Sequence, residues 1–219
     1  MESLLIKGGV PLRGEVRISG AKNAALPLMA ATLLTDEPCV IRNVPDLSDV
    51  KFMGQILQSL GAEVKISGST VRVHARKIKS VGDYDLIRQM RGSVCIMGAL
   101  LGRLRKATVS LPGGCVIGAR PIGLHLKGFA ALGTKISIEG GYINAAAKKL
   151  KGAEIFLGGR SGSTVLGTAN VMMAAALADG VTTIESAACE PEVVDLAEFL
   201  IAMGAKISAP LSFFAAALM

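Results

Sequence analysis

There is no tryptophan in this chain, and aromatic residues make up only 4% of it. Its core must therefore be packed from aliphatic side chains, and the ring platforms on which single-stranded nucleic acid stacks are lacking. Cysteine is scarce as well. Cys39, Cys95, Cys115 and Cys189 lie far apart without a C-x-x-C spacing, which argues against a disulfide frame or a zinc site. The only histidines, His74 and His125, have no carboxylate or ligand partner at helical spacing, so both read as structural, and neither a metal nor any other cofactor is expected.

Long apolar runs are missing too. The longest, Val171 to Ala178, is about half of the roughly 20 residues a membrane helix needs, so no membrane span is expected. Met1 to Gly9 carries Glu2 and Lys7 without a basic stretch leading into an apolar one, so no signal peptide is read and a cytoplasmic location is expected.

Hydrophobic residues, by contrast, make up 51% of 219 residues, enough for a substantial core, and 26 glycines imply many turns between short elements. The formal net charge of +7 points to an anionic partner. Its distribution does not favour nucleic acid, because the densest basic groups, Arg103-Arg105-Lys106 and Lys148-Lys149-Lys151, have no aromatic interleaving and read as solvated faces.

A repeat organises the chain. Segments ending Ser59-Leu60-Gly61-Ala62, Ala131-Leu132-Gly133-Thr134 and Ala202-Met203-Gly204-Ala205 align, with the glycines 72 and 71 residues apart, each as a helix end leading towards a strand. Upstream of each stands a second helix of small and apolar residues, over 21–34, 92–104 and 167–178, followed by strands at 39–42, 108–111 and 181–185. A strand at 15–18 opens the first unit, and hairpins at 63–73 and 135–145 close the first two through Gly68-Ser69 and Gly140-Gly141. The units cover about 15–75, 83–146 and 153–208, each βαβαββ, and predict an α/β domain of pseudo-threefold symmetry with the apolar helices buried together and the sheets outside. In the third unit Ala205 to Ser208 starts a strand, but residues 209–219 form an apolar tail with no polar turn, readable as a terminal helix or as an altered end.

Between strand 108–111 and the helix after it lies Pro112-Gly113-Gly114-Cys115-Val116-Ile117-Gly118-Ala119-Arg120-Pro121, a loop displaying one thiol and one guanidinium. Taken alone, Cys115 reads either as a reactive thiol, its thiolate favoured by Arg120, or as a small filler in a glycine turn. Cys39, Cys95 and Cys189 are expected in apolar surroundings. Lys22 and Asn23 begin the first apolar helix, where unpaired amides and a lysine suit an anion. Arg91 and the turn 158–168 hold the matching places in the second and third units.

Lys22-Asn23-Ala24-Ala25-Leu26-Pro27, Met90-Arg91-Gly92-Ser93, the loop from Leu111 to Pro121 and the stretch 187–195 resemble the bacterial UDP-N-acetylglucosamine enolpyruvyl transferase family over residues 1 to about 208. The resemblance implies an inside-out α/β barrel domain spanning 21–208, an N-terminal segment 1–20 that in the family joins a second domain, and substrates in a cleft between the two. It implies phosphoenolpyruvate at Lys22 and Arg120, sugar orientation by Asn23, and a nucleotide-sugar contact at Arg91. Further contacts to UDP-N-acetylglucosamine would fall at Pro121, Ile122, Gly123, Leu124, Ser163, Thr164 and Val165, with Cys115 as the acid that protonates the enol methylene and as the thiol alkylated by fosfomycin. Two departures stand out: Gly123 replaces a common aspartate, and the loop 158–165 is longer than usual. The family's deprotonating aspartate belongs to the second domain, so a missing second-domain polypeptide is an expected partner, and a noncatalytic nucleotide-sugar-binding fragment is the alternative reading.

Overall fold

The computed structural model describes residues 3–111, 122–159 and 162–209. Its architecture follows from three helices that have almost no polar face: α1 (Lys22–Ala31), α4 (Ile96–Leu104) and α6 (Val165–Ala175). A helix apolar on all sides has to be enclosed by other elements, and these three lie side by side in the middle of one continuous core. They run parallel. Gly92 and Cys95 lie against Leu26 while Gly102 lies against Leu34, and Gly98 faces Asn170 while Gly102 faces Met173 and Ala174. The amino ends of all three helices therefore emerge on one side of the molecule.

Around them stand the other elements of each unit. The first continues with β1 (Cys39–Ile41), α2 (Ser48–Ser59), β2 (Glu63–Ser67) and β3 (Thr70–His74), paired antiparallel in the order β1-β3-β2. The second has α3 (Tyr84–Gln89), a 3-10 turn Arg91–Cys95 running into α4, then β4 (Lys106–Ser110), α5 (Gly123–Ala131), β5 (Lys135–Glu139) and β6 (Tyr142–Ala146), in the matching order β4-β6-β5. The third contributes β7 (Glu154–Phe156) parallel to β8 (Thr183–Glu185), and α7 (Pro191–Ala202). Val71 and Val73 of β3, and Ile143 and Ala145 of β6, turn inward while their neighbours face out, the period-two alternation of a half-buried sheet.

The glycine positions read from the repeat are used as expected at the ends of the outer helices. Gly61, Gly133 and Gly204 have φ of +102°, +91° and +102°, the left-handed conformation that ends a helix cheaply only without a Cβ. Two expected strands are not formed. Residues 15–18 carry no strand and are exposed, so among the described residues β1 keeps an outer edge without a parallel partner, whereas β4 has at that edge a bridge between Val81 and Thr108. Residues 205–208 carry none either, because the hairpin partner that β2 has in β3 and β5 has in β6 is absent from the described part of the third unit. The tail 210–219 lies outside the described residues.

Arg103 shows how the units are joined at the far end of the helices. Its guanidinium donates to the carbonyls of Leu33, Thr35, Ala75 and Arg76 at 3.1, 2.6, 2.6 and 3.1 Å, tying α4 to the end of the first helix and to the chain leaving β3. A planar fork of five donors suits such a ring of carbonyls as no other side chain does. One of the residues assigned to a solvated basic face thus has a structural use.

Candidate functional site

Lys22 is the first residue of α1, at the positive end of a helix dipole, and its Nζ lies 2.7 Å from Asp49 Oδ2 near the start of α2. Asp49 was not singled out from the sequence. It ties the lysine head to the start of α2 and offsets its charge, so an anion arriving at the helix end would compete with this carboxylate for the cation. Asn23 follows, exposed. Arg91 opens the 3-10 turn at the start of α4, partly buried, and Gly92 beside it touches Leu26 of α1.

Thr164 caps α6: its hydroxyl accepts from the Gly167 amide at 3.2 Å, next to Val165 at the first helical position and exposed Ser163. Ile122 and Gly123 begin α5, and Leu124 packs towards Gly159 of the turn that leads to Thr164. That turn is closed by paired hydrogen bonds between Gly159 and Gly162. Lys22, Arg91 and Thr164 therefore mark the amino ends of three parallel helices, and α5 brings residues 122–124 up to the third. Cys115, Arg120 and Pro121 lie outside the described residues.

The aligned amides and dipoles at such a convergence favour a ligand of several negative charges, and Lys22 and Arg91 add full positive charge. Directly beneath it, His125 of α5 is buried and its Nδ1 lies 2.9 Å from the side-chain amide of Asn170. Burial, and after it the charge of Arg91, hold its pKa down at about 4 against an ordinary 6.5. The unfolded chain takes up that proton near the ordinary value and the folded chain only near the lower one, so stability is full above pH 6.5 and is lost as pH falls towards 4. About 3 kcal/mol is at stake at one buried site, and calorimetry between pH 7 and 4.5 should show a melting temperature that falls in this window and falls much less in His125→Asn. An equal fall in both proteins would assign it to the carboxylates instead. His74, at the end of β3, lies 4.0 Å from Glu63 across the hairpin and away from this end.

One cysteine departs from the expectation. Cys95 is fully buried, with its thiol pushed up to about 12, and burial raises Cys39 as well. Cys189, expected in apolar surroundings, is exposed at the entry to α7. Two residues at the site, and one that joins the units at the far end of the helices, have parts that were not read in the sequence. Asp49 sat inside a repeat read for its glycines; Asn170, the one amide in an apolar helix, was the visible signal for a buried network; and the part of Arg103 depends on carbonyls far apart in the chain.

Solved enolpyruvyl transferases share this fold. The chain is similar to the enolpyruvyl transferase NikO from Streptomyces tendae at a TM-score of 0.79 and 24% identity, over 93% of this chain and 48% of that one. EPSP synthase from Acinetobacter baumannii follows at 0.70 and 15%, over 91% and 45%. Residues 6–212 match the family described as EPSP synthase (3-phosphoshikimate 1-carboxyvinyltransferase), and the chain belongs to that family. Among curated relatives it is 57% identical over 208 residues to a UDP-N-acetylglucosamine 1-carboxyvinyltransferase of Methylacidiphilum infernorum, 95% of this chain and 49% of the relative. Proteins of the same description from Akkermansia muciniphila and Coxiella burnetii are 56% and 51% identical, over 94% and 95% of this chain and 49% and 48% of their own lengths. The chain thus spans about half the length of the curated relatives it matches.

Proposed function

We propose that this chain forms the cysteine-bearing half of an enzyme that transfers the enolpyruvyl group of phosphoenolpyruvate to the 3-hydroxyl of UDP-N-acetylglucosamine, releasing phosphate in the committed step of peptidoglycan synthesis. The observation that carries the reading is the identity of 51–57% over nearly the whole chain to relatives described as UDP-N-acetylglucosamine 1-carboxyvinyltransferases. The site's chemistry agrees with it. Both substrates are polyanions, and the ends of α1, α4 and α6 present Lys22, Arg91 and open amides on one side.

In this reading Lys22 and Arg120 bind phosphoenolpyruvate, and Asn23 orients the sugar hydroxyl. Arg91, Pro121, Ile122, Gly123, Leu124, Ser163, Thr164 and Val165 take the nucleotide sugar, with backbone at Gly123 serving where relatives of this type commonly have a carboxylate. The Cys115 thiol gives its proton to the methylene carbon of phosphoenolpyruvate, which leaves the adjacent carbon electrophilic. The sugar 3-hydroxyl adds there and loses its proton to a base. Loss of a proton from the new methyl group then expels phosphate and restores the double bond. Cations around the phosphate and carboxylate hold the charge through both steps.

The test is phosphate release from phosphoenolpyruvate and UDP-N-acetylglucosamine. Purified 1–219 alone is expected to give none, and addition of the carboxyl-terminal half of the Methylacidiphilum infernorum relative to give release that disappears in Cys115→Ser. Sugar-nucleotide binding without release in the mixture would favour a noncatalytic binding module. Absence of both binding and release in the mixture would overturn the reading.

A further inference from the structure

Asn170 is the polar exception inside α6, and it is completely buried. Its Oδ1 accepts from the Gly98 amide at 2.7 Å; its Nδ2 donates to the Val94 carbonyl at 3.0 Å and lies 2.9 Å from Nδ1 of His125. These partners fix the orientation of both side chains. A backbone N–H only donates and a carbonyl only accepts, so the amide oxygen belongs at Gly98 and the NH2 group between Val94 and His125. One amide hydrogen is taken by Val94 and the other meets Nδ1, which must therefore be an acceptor. The imidazole is neutral, and its proton sits on Nε2.

Three segments meet at this one amide: the 3-10 turn with the start of α4, α5, and α6. Each carries residues assigned above to the nucleotide sugar. Arg91 lies in the same turn as Val94, Gly123 and Leu124 directly precede His125, and Thr164 and Val165 begin the helix that holds Asn170. Arg91 is thus tied to His125 through its own turn, since the Val94 carbonyl and the imidazole share the one Asn170 amide group, and its positive charge opposes a charge on the ring.

We propose that Asn170 and His125 are positioning residues for Arg91: the buried amide holds the turn that carries Arg91 against α5 and α6 and keeps the imidazole neutral with its proton on Nε2, so that no second positive charge faces the guanidinium at the convergence of the three helices. An imidazolium there would break the bond to Asn170 and push Arg91 away. The binding consequence rests on Arg91 as a contact to UDP-N-acetylglucosamine, whereas the network itself does not.

The experiment uses the full 1–219 chain labelled with nitrogen-15 and follows the imidazole nitrogens of His125 with pH. The expected result is a neutral Nε2–H ring from pH 8 down to 5, an upward move of its titration in Arg91→Gln, and a mixture of tautomers in Asn170→Ala. A proton on Nδ1 in the unsubstituted chain, or a titration unmoved by Arg91→Gln, overturns the proposal whether or not any variant is unstable. For binding, the dissociation constant for UDP-N-acetylglucosamine should rise about tenfold in Asn170→Ala and rise no further when Asn170→Ala is added to Arg91→Gln. Additive losses in the pair would mean that Asn170 merely supports the fold, and would overturn the proposal. If the chain alone does not bind the sugar nucleotide, the same binding comparison is read in the mixture with the carboxyl-terminal half; absence of binding there too would count against the functional reading, and the two imidazole measurements still decide the network.

Discussion

Replacing Gly98 by alanine is expected to lower the melting temperature by roughly 10 °C, the equivalent of about 3 kcal/mol. On an open helix the same change would stabilise by about 1 kcal/mol, since alanine orders the backbone at less entropic cost. Here the sign is reversed by the neighbour. A Cβ on Gly98 would stand 2.1 Å from the carbonyl oxygen of Asn170 and 2.8 Å from its carbonyl carbon, and backbone in the middle of a helix has no rotamer through which to withdraw. α4 and α6 would have to part, and the bond from the Gly98 amide to Asn170 Oδ1, 2.7 Å long, would lengthen with them. Gly54 in α2 provides the contrast, because its added Cβ would meet only side-chain atoms, Ile66 Cδ1 at 3.3 Å, the movable end of a side chain, and Val64 Cγ1 at an ordinary 3.6 Å. Thermal melts of the two variants should separate clearly; a Gly98→Ala protein melting with Gly54→Ala would show that the central helices tolerate displacement and that their close parallel contact does not hold the three amino ends together.

That contact explains which parts of the molecule could be read in the sequence. Local rules carried the units: left-handed glycines after α2, α5 and α7, diglycine at the β5–β6 turn, and apolar stretches without a polar face for α1, α4 and α6. The same rules placed Lys22 and Arg91 at helix starts and Thr164 in the turn 158–168, with the third apolar helix beginning at 167 where the structure begins it at Val165. What brings them to one side is the parallel run of three helices, and this depends on Gly98 and Gly102 facing backbone some 70 residues away, a pairing with no local trace. The strand expected at 15–18 failed for a related reason: alternation of apolar residues makes a strand possible, but only a neighbouring ladder completes it, and β1 receives none from there. Asn170 and Arg103 are polar side chains whose partners come from other units. Asp49 reaches Lys22 across the first unit, and only folding makes it a partner.

Limited treatment of the native chain with iodoacetamide at pH 7.5 is expected to modify Cys115 and Cys189, to reach Cys39 slowly and to leave Cys95 untouched. Thiolate is the attacking form. With its thiol pushed up to about 12, Cys95 presents about three orders of magnitude less of it than an ordinary cysteine, before its complete burial is considered. Cys39 is half-buried and raised in the same direction, and Cys189 is open to reagent. Cys189 is therefore the exposed internal standard, and the part of the Cys115 rate that depends on Arg120 measures activation and not exposure. If Arg120 lowers the pKa of Cys115, as the cysteine-and-arginine loop suggests, Cys115 should label severalfold faster than Cys189, and Arg120→Ala should bring the two rates together without changing that of Cys189. Peptide mass mapping reads both rates in one sample. Equal rates for Cys115 and Cys189 in the unsubstituted chain would remove electrostatic activation from this half of the site and assign it to whatever completes the cleft; modification of Cys95 at a comparable rate would mean that the interface between the 3-10 turn and Leu26 opens in the native state, and with it the arrangement that places Arg91.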